Sequence, residues 1–289
     1  MYPFSMLRVF LLLGLLSPAS IAFSQTLQYQ TLQLGPGHYT SAGGVNNLGD
    51  IVGLYDPNTV GTGFLYSNGK LQTIGCSTPR NDYAQGINDN RVVVGGCNSP
   101  KAYIYQNGVF TFVTYPNAQQ TWFTGINNKG VIVGYYVGSG AQHLLHGFVY
   151  VNGKFTLLPS SVTVATGINN KGMVAGISCN SSQVCNGVVL TKGSKGWQVQ
   201  RKVFYPGAAN TYVNGINDDG DLAGDWTSGL NVPQQAFVYR KSSNQFVGLD
   251  FSNNNNLAIA FGINNAGEIV GEYSPANGGA ISGFYGTVQ

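Results

Sequence analysis

The chain has 289 residues, of which 9% are charged, and a net charge of +3. So small a charge gives no electrostatic basis for binding nucleic acid. Helical periodicity is essentially absent. The 41 glycines, 17 tyrosines and 15 phenylalanines instead favour short β-strands joined by tight turns.

Residues 1–24 have the pattern of a secretory signal peptide. Arg8 precedes an apolar run, Val9–Leu16, and small residues follow it. The run is too short to span a membrane, and we expect cleavage after Ala22 or Ser24. No later stretch is apolar enough for a membrane span. The sequence therefore predicts a secreted or periplasmic protein.

Six copies of one phrase, Gly-(Ile/Val)-Asn-(Asn/Asp), organise the rest of the chain. The copies begin at Gly44, Gly86, Gly125, Gly167, Gly215 and Gly262. A second glycine follows nine positions later, at Gly53, Gly95, Gly134, Gly176, Gly224 and Gly271. Because the copies start 39 to 48 residues apart, the pattern predicts a repeat architecture.

The third repeat illustrates the strands that one copy supplies. We predict strands a, b, c and d over Phe123–Asn127, Val131–Tyr136, His146–Tyr150 and Lys154–Leu158. The Asn-Gly pair before Lys154 suits a type I′ hairpin between c and d, because both of its residues need positive φ. Each repeat is thus predicted to form four antiparallel strands.

The turn between strands a and b contains a glycine at the same place in five repeats, as at Gly130. We expect this glycine to take the left-handed conformation, while the Asn side chains bond the turn backbone. The second repeat has Arg91 in this place, so we expect Asn90 to carry the positive φ there.

Four antiparallel strands in each of six repeats predict an all-β fold, a six-bladed β-propeller in a single domain over residues 25–289. The last repeat stops after its strand c, Ser282–Gly286. We expect the N-terminal segment Tyr29–Leu34 to supply the missing strand d, which closes the ring and removes an exposed edge.

The repeat resembles a known family. It contains the phrase Gly-Ile-Asn-Asn-x-Gly-x-Val-x-Gly, then phrases such as His146–Tyr150 and Gln235–Tyr239, and then Asn-Gly. This pattern is similar to the bacterial HAF-family extracellular repeats. The fourth repeat departs from the third-strand phrase, with Gly187–Leu190 in that place. The resemblance implies an exported repeat protein, and it carries over no catalytic residue.

Four cysteines remain in the exported chain, and three pairings are formally open. Cys179 and Cys185 are close in sequence and are expected to bridge one loop. Cys76 is then expected to pair with Cys97, from the end of strand d of the first blade to the end of strand b of the second. The alternatives are free thiols or a metal site, although the spacings match no common zinc site.

The connections from b to c and from d to the next a emerge on one side of the ring, which we call the loop face. The opposite side, with the a–b and c–d turns, is the turn face. Loops of varying length on a rigid scaffold are where binding usually evolves, although unconstrained drift is the alternative.

Aromatic residues make this loop face a candidate ligand site. Four of them share one repeat position, and Trp122 lies in a loop before a strand a. The four are Tyr55, Tyr136, Trp226 and Tyr273. Flat rings beside amides suit sugars, with Trp122 and Trp226 as the main anchors. The alternative is that these rings pack between blades.

Two carboxylates, Asp225 and Glu272, occupy the same position in adjacent repeats, and Asp56 is the nearest further acid. A glycoside hydrolase typically needs two carboxylates about 5–10 Å apart. Solvated surface acids are the alternative reading.

Two other motifs are weak indications of metal binding. Residues 217–221 lack the ligand spacing of a calcium loop. His143 and His146 have no further ligand nearby in sequence. We predict no metal and no cofactor.

The sequence favours an exported, monomeric, non-enzymatic binding module whose partner is a glycan or another extracellular polymer. It predicts no nucleic-acid partner. The alternatives are a glycan hydrolase or lyase that uses Asp225 and Glu272, or a structural protein of an envelope or matrix.

Overall fold

The structure, a computed structural model, describes residues 27–35, 38–56, 61–76, 82–97, 100–140, 144–229, 231–251, 256–276 and 278–288. These ranges form six four-stranded antiparallel sheets whose inner strands contact one another in a closed ring. The predicted six-bladed β-propeller is therefore confirmed. The described ranges contain no helix with the length and apolar character of a membrane span. The predicted signal peptide, residues 1–24, lies outside them.

The strands are numbered in chain order and grouped by blade. Blade 1 contains β2 to β5, at Thr40–Val45, Ile51–Tyr55, Thr62–Ser67 and Lys70–Ile74. Blade 2 contains β6 to β9, at Asp82–Ile87, Val93–Cys97, Lys101–Gln106 and Val109–Val113. Blade 3 contains β10 to β13, at Gln120–Ile126, Ile132–Val137, Leu145–Val151 and Lys154–Leu157.

Blade 4 contains β14 to β17, at Val164–Ile168, Val174–Cys179, Cys185–Gly193 and Gly196–Val203. Blade 5 contains β18 to β21, at Asn210–Ile216, Leu222–Thr227, Gln235–Arg240 and Gln245–Gly248. Blade 6 contains β22 to β24, at Ala258–Ile263, Glu268–Tyr273 and Ser282–Val288, together with β1 at Leu27–Leu32.

The N-terminal strand closes the ring as predicted. β1 pairs antiparallel with β24, and Leu27 lies opposite Val288. The strand ends at Leu32, two residues before the predicted end of Tyr29–Leu34. Leu34 instead packs against the hydrophobic cluster of blade 1. Blade 6 is thus built from both ends of the chain. β1 covers the edge of β24 that would otherwise be unpaired.

The second glycine of each repeat is required by a bulge in strand a. In blade 3 the register of β10 and β11 shifts between Phe123 and Gly125. A Cβ on Gly134 would lie 1.9 Å from the Trp122 carbonyl oxygen. The free space also receives the Phe148 ring from strand c. Each blade buries an equivalent strand-c residue, namely Phe64, Tyr103, Phe148, Val188, Phe237 or Phe284.

The first asparagines of the six phrases form a closed hydrogen-bonded ring around the axis. Each Nδ2 donates to the backbone carbonyl of the equivalent residue in the next blade, at 2.8–3.3 Å. The members are Asn46, Asn88, Asn127, Asn169, Asn217 and Asn264. The Asn127 Oδ1 also accepts from the N–H groups of Lys129 and Val131, each at 3.0 Å. One buried side chain therefore shapes its own turn and joins the next blade.

A second closed ring lies outside the first on the turn face. The backbone N–H of each member donates to the side-chain Oδ1 of the next, at 2.7–2.9 Å. The members are Asn47, Asp89, Asn128, Asn170, Asp218 and Asn265. Burial would raise the pKa of Asp89, but hydrogen bonds from Asn47 and Asn128 outweigh it and lower that pKa. The repeated phrase is thus the device that joins the blades.

The a–b turns confirm one expectation and correct another. Gly130 has a φ of +72°, as expected, but in blade 2 it is Arg91, with a φ of +56°, that takes the left-handed place. The expectation for Asn90 was wrong because Asn88 sets the register of the turn, and the Arg91 N–H donates to the Asn88 carbonyl at 2.9 Å. The Arg91 guanidinium then binds Asp50 of blade 1, with Nε 2.8 Å from Oδ2.

Candidate functional site

An open axial cavity of about 220 Å³ lies between the six inner strands. A ring of Val and Ile side chains separates it from a cavity of about 60 Å³ bounded by the asparagine rings on the turn face. The larger cavity is lined by Gln85, Thr124, Thr166, Asn214, Tyr135, Val164 and Phe261, among others.

Several of these polar groups are already used to join blades. The Thr124 hydroxyl donates to the Ala165 carbonyl at 2.6 Å, and the Thr166 hydroxyl donates to the Val213 carbonyl at 2.7 Å. Asn214 Nδ2 donates to the Ala260 carbonyl at 3.0 Å. These polar groups of the cavity wall are therefore used to join the blades.

Trp122 lies at the loop-face end of β10 and is partly exposed. Its indole packs against Gly96 of blade 2, where an added Cβ would come within 2.2 Å of the ring. The centroid of the Tyr83 ring is 5.6 Å away, in an edge-on arrangement. The indole Nε1 donates to Gln120 Oε1 at 3.3 Å. Two partly exposed rings and an amide are thus brought together on the loop face.

Three of the other predicted binding rings are stacked on aromatic residues of the loop that enters their blade. Tyr136 stacks on Tyr115 with ring centroids 3.8 Å apart, and its ring also stacks with His146. The pairs in blades 5 and 6 are Tyr205 with Trp226 at 4.5 Å and Phe251 with Tyr273 at 5.0 Å. These stacks hold the incoming loop on strand b.

Tyr55 in blade 1 is partly buried, and it packs, as Leu34 does, against the hydrophobic cluster of that blade. Its repeat position matches that of the three stacked rings. A role in ligand binding for Tyr55, Tyr136, Trp226 and Tyr273 stays a prediction.

In blade 2 the incoming loop is attached to strand b by a covalent bond. Both predicted disulfides are present, Cys76–Cys97 and Cys179–Cys185. Cys76 lies ten residues before the first glycine of its repeat, as Tyr115 and Tyr205 do, and Cys97 occupies the position of Trp226. The first disulfide therefore replaces an aromatic stack. The second joins the ends of β15 and β16 across the b–c loop of blade 4.

Asp225 and Glu272 are both buried, with 2% and 6% of their surface exposed. Neither is among the residues that line the axial cavity. Asp225 Oδ1 accepts from Asn214 Nδ2 at 2.8 Å, and the Gln234 side chain also stabilises this carboxylate. The Tyr39 hydroxyl donates to Glu272 Oε2 at 2.6 Å.

The surroundings of these two acids favour their protonated forms. Burial raises the pKa of Asp225 to about 7, and the nearby charge of Glu272 adds to this rise. Burial likewise raises the pKa of Glu272, although hydrogen bonds from Tyr39 and Ser41 oppose it. A carboxyl group with a pKa near 7 can act as a general acid only if substrate reaches it.

The weaker candidates have structural partners. Asp218 belongs to the outer turn-face ring, and the Asp221 carboxylate pairs with Arg240, with Oδ2 3.0 Å from Nη1. Asp56 is partly exposed at the end of β3. His143, which with His146 was the weak zinc candidate, lies outside the described ranges.

No protein-family model and no curated protein matches the chain, so the HAF-family resemblance stays a prediction. Among solved structures, AofleA from Arthrobotrys oligospora is similar, with 14% identity and a TM-score of 0.52 over 91% of this chain and 84% of that chain. The six-bladed lectin of Aleuria aurantia, whose structure shows a fucose recognition mode, has 8% identity and a TM-score of 0.49 over 92% and 95%. At these identities the likeness concerns the fold alone.

Proposed function

We propose that this protein is an exported carbohydrate-binding module whose loop face binds sugar, with Trp122 as the stacking surface. The observation that carries the proposal is the contrast between the two predicted anchors. Trp226 lies flat on Tyr205, whereas Trp122 rests on Gly96 and meets Tyr83 edge-on. An indole in this setting suits the apolar C–H face of a sugar ring.

The polar groups near Trp122 fit the same ligand class. Gln120 already orients the indole through Nε1, and Gln85 lines the adjoining axial cavity. Amides both donate and accept, as sugar hydroxyls require. Two disulfides support an oxidising compartment outside the cytosol.

Binding is favoured over hydrolysis by the position of the acids. Hydrolysis needs two carboxyl groups that flank the scissile bond. Asp225 and Glu272 are buried, and their known contacts are with Asn214 and Tyr39. A sugar on the loop face would reach Trp122 without displacing either acid.

The test is a glycan array with residues 25–289, followed by titration of the bound glycans with two matched variants. We expect Trp122→Ala to lower affinity about tenfold or more, which corresponds to about 1.4 kcal/mol, with a small change in melting temperature. We expect Trp226→Ala to lower the melting temperature and to keep the affinity of the folded fraction.

Three outcomes would contradict the proposal. The absence of binding across the array would favour the structural envelope or matrix role. Unchanged affinity in Trp122→Ala would remove the proposed site. Release of new reducing ends from a bound glycan, abolished by Asp225→Asn, would support the hydrolase alternative.

A further inference from the structure

Charge is distributed very unevenly around the ring. Residues 90–217 contain no Asp or Glu but nine basic residues, namely Arg91, Lys101, Lys129, Lys154, Lys171, Lys192, Lys195, Arg201 and Lys202. The rest of the chain has the remaining five of 14 basic residues and all 11 acidic ones. Seven of these nine basic residues lie in blades 3 and 4, which are therefore a strongly cationic part of a protein whose net charge is small.

Four of these lysines line one groove between blades 3 and 4 on the turn face. The groove has a volume of about 760 Å³ and is lined by Lys129, Lys154, Lys171 and Lys192. Lys129 and Lys171 come from the a–b turns of the two blades, and Lys154 and Lys192 from their c–d hairpins. None of the described residues that line the groove is acidic.

Two of the four lysines, those in the a–b turns, are specific to this pair of blades. Lys129 and Lys171 stand four residues after the first glycine of their repeats. The other repeats have Leu48, Asn90, Asp219 and Ala266 in this place. The turn backbone does not require lysine there, since four other residue types occupy the same turn. All four lysines of the groove are exposed, so their charges act on the solvent side.

The wall of the groove offers an apolar surface and hydroxyl groups. Trp197 is partly buried and lies opposite Lys192 in the β16–β17 pairing. Val151 of blade 3 is an exposed residue of the groove lining, and Thr156 and Thr191 supply hydroxyls. A partly exposed indole between cations matches a ligand with both apolar ring faces and negative charges.

We propose that this groove is a second binding site, for an acidic polysaccharide whose sugars carry carboxylate or sulfate groups. Four lysines in a groove whose described lining contains no acidic residue supply the charge complementarity, and Trp197 supplies a surface for a sugar ring. A polysaccharide fits better than nucleic acid because the disulfides indicate an extracytosolic compartment. This site lies on the opposite face from Trp122 and does not depend on the function proposed there.

The experiment measures binding of sodium polygalacturonate and dextran sulfate by titration calorimetry, with neutral dextran and duplex DNA as comparisons. The groove variant carries Lys→Gln at 129, 154, 171 and 192. The matched control carries Lys→Gln at 70, 101, 195 and 241, so its net charge changes equally. We expect the groove variant to lose about tenfold or more in affinity for the acidic polymers, and the control to change by less than about threefold. Binding by the wild type should weaken as NaCl is raised.

Equal losses in the two variants would overturn the proposal, because net charge rather than the groove would then explain binding. Tighter binding of neutral dextran or of duplex DNA would overturn the assignment to an acidic polysaccharide. Trp122→Ala should leave polygalacturonate affinity unchanged, which separates this site from the loop face. If the groove variant proves unstable, the pair Lys154→Gln/Lys192→Gln should still lose affinity relative to Lys70→Gln/Lys241→Gln.

Discussion

The first asparagines of the repeated phrase, which we call the inner ring, join each blade to the next, whereas the contacts on the loop face attach each incoming loop to its own blade. On the inner ring every blade uses the same asparagines and the same two glycines, and the bonds close on themselves. On the loop face one blade uses a disulfide and others use an aromatic stack, and in blade 1 Leu34 and Tyr55 pack against the same hydrophobic cluster. The same residue type recurs in every blade where each blade must contact two equivalent neighbours. A contact between an incoming loop and its own blade can be made by different residue types.

The largest expected effect comes from the second glycine of the repeat, which lies opposite the bulge in strand a. Gly134→Val should cost more than about 4 kcal/mol of folding free energy or prevent folding, because its Cβ would lie 1.9 Å from the Trp122 carbonyl oxygen. Gly130→Val is the matched control. Its φ is +72° but the space around it is open, so strain alone should cost about 1–3 kcal/mol. Thermal melts that rank the two variants equally would contradict the bulge geometry.

Removing one member of the asparagine ring should also be severe. Asn127→Ala deprives the Asn169 carbonyl of its donor and two turn N–H groups of their acceptor. We expect a loss of about 3–4 kcal/mol in urea unfolding. Asn128→Ala, in the more exposed outer ring, should cost about 1 kcal/mol. Similar losses of stability in the two variants would mean that the inner ring contributes no more to stability than the outer ring does.

On the loop face, the bridge of blade 2 should matter only locally. Cys76→Ser/Cys97→Ser should lower stability by about 3 kcal/mol, because the bridge closes a loop of 21 residues. Hydrogen exchange should become faster in the loop after β5, while the turn amides bonded to Asn88 keep their protection. Loss of protection in those turn amides would show that the two faces are not independent.

The smallest expected effect is a pH dependence at the loop-face end of blade 5. Asp225 has a pKa of about 7 in the folded protein, against about 3.9 when unfolded. The native state therefore binds more protons between about pH 4 and pH 7, and stability falls as the pH rises through that window. Asp225→Asn should flatten this slope and raise stability by about 2 kcal/mol at pH 8. An unchanged pH profile would contradict the burial of this carboxyl group.

Much of the fold could be read from the spacing of glycine and asparagine. The blade number, the closure by β1 and both disulfides were predicted correctly, because each rests on the order of strands along the chain. The turn at Arg91 was predicted wrongly because a local preference of Asn for positive φ was weighed without the hydrogen bonds that Asn88 accepts from the N–H groups of the turn. Strand a of blade 3 begins at Gln120, before the predicted Phe123, since pairing with β11 extends to the loop face.

The candidate sites were less accessible to sequence reasoning. Trp122 and Trp226 look alike in the sequence, and only their neighbours in space distinguish a ring on Gly96 from a ring stacked on Tyr205. The residues next to Cys76 do not show that it occupies the position of an aromatic ring in other blades. Counting back ten residues from the first glycine of each repeat would have shown this equivalence.

The sequence by itself determined the repeat, the strand order and the ring. The reason is that the periodic glycines and asparagines place a turn of the same conformation at the same point of every repeat. Tertiary structure decided which side chains meet across blades. Lys129 and Lys192 are 63 residues apart in sequence and line one groove, and Asp225 is buried by Asn214 and its neighbours. Such contacts depend on the lateral packing of whole blades, which no local pattern in the chain encodes.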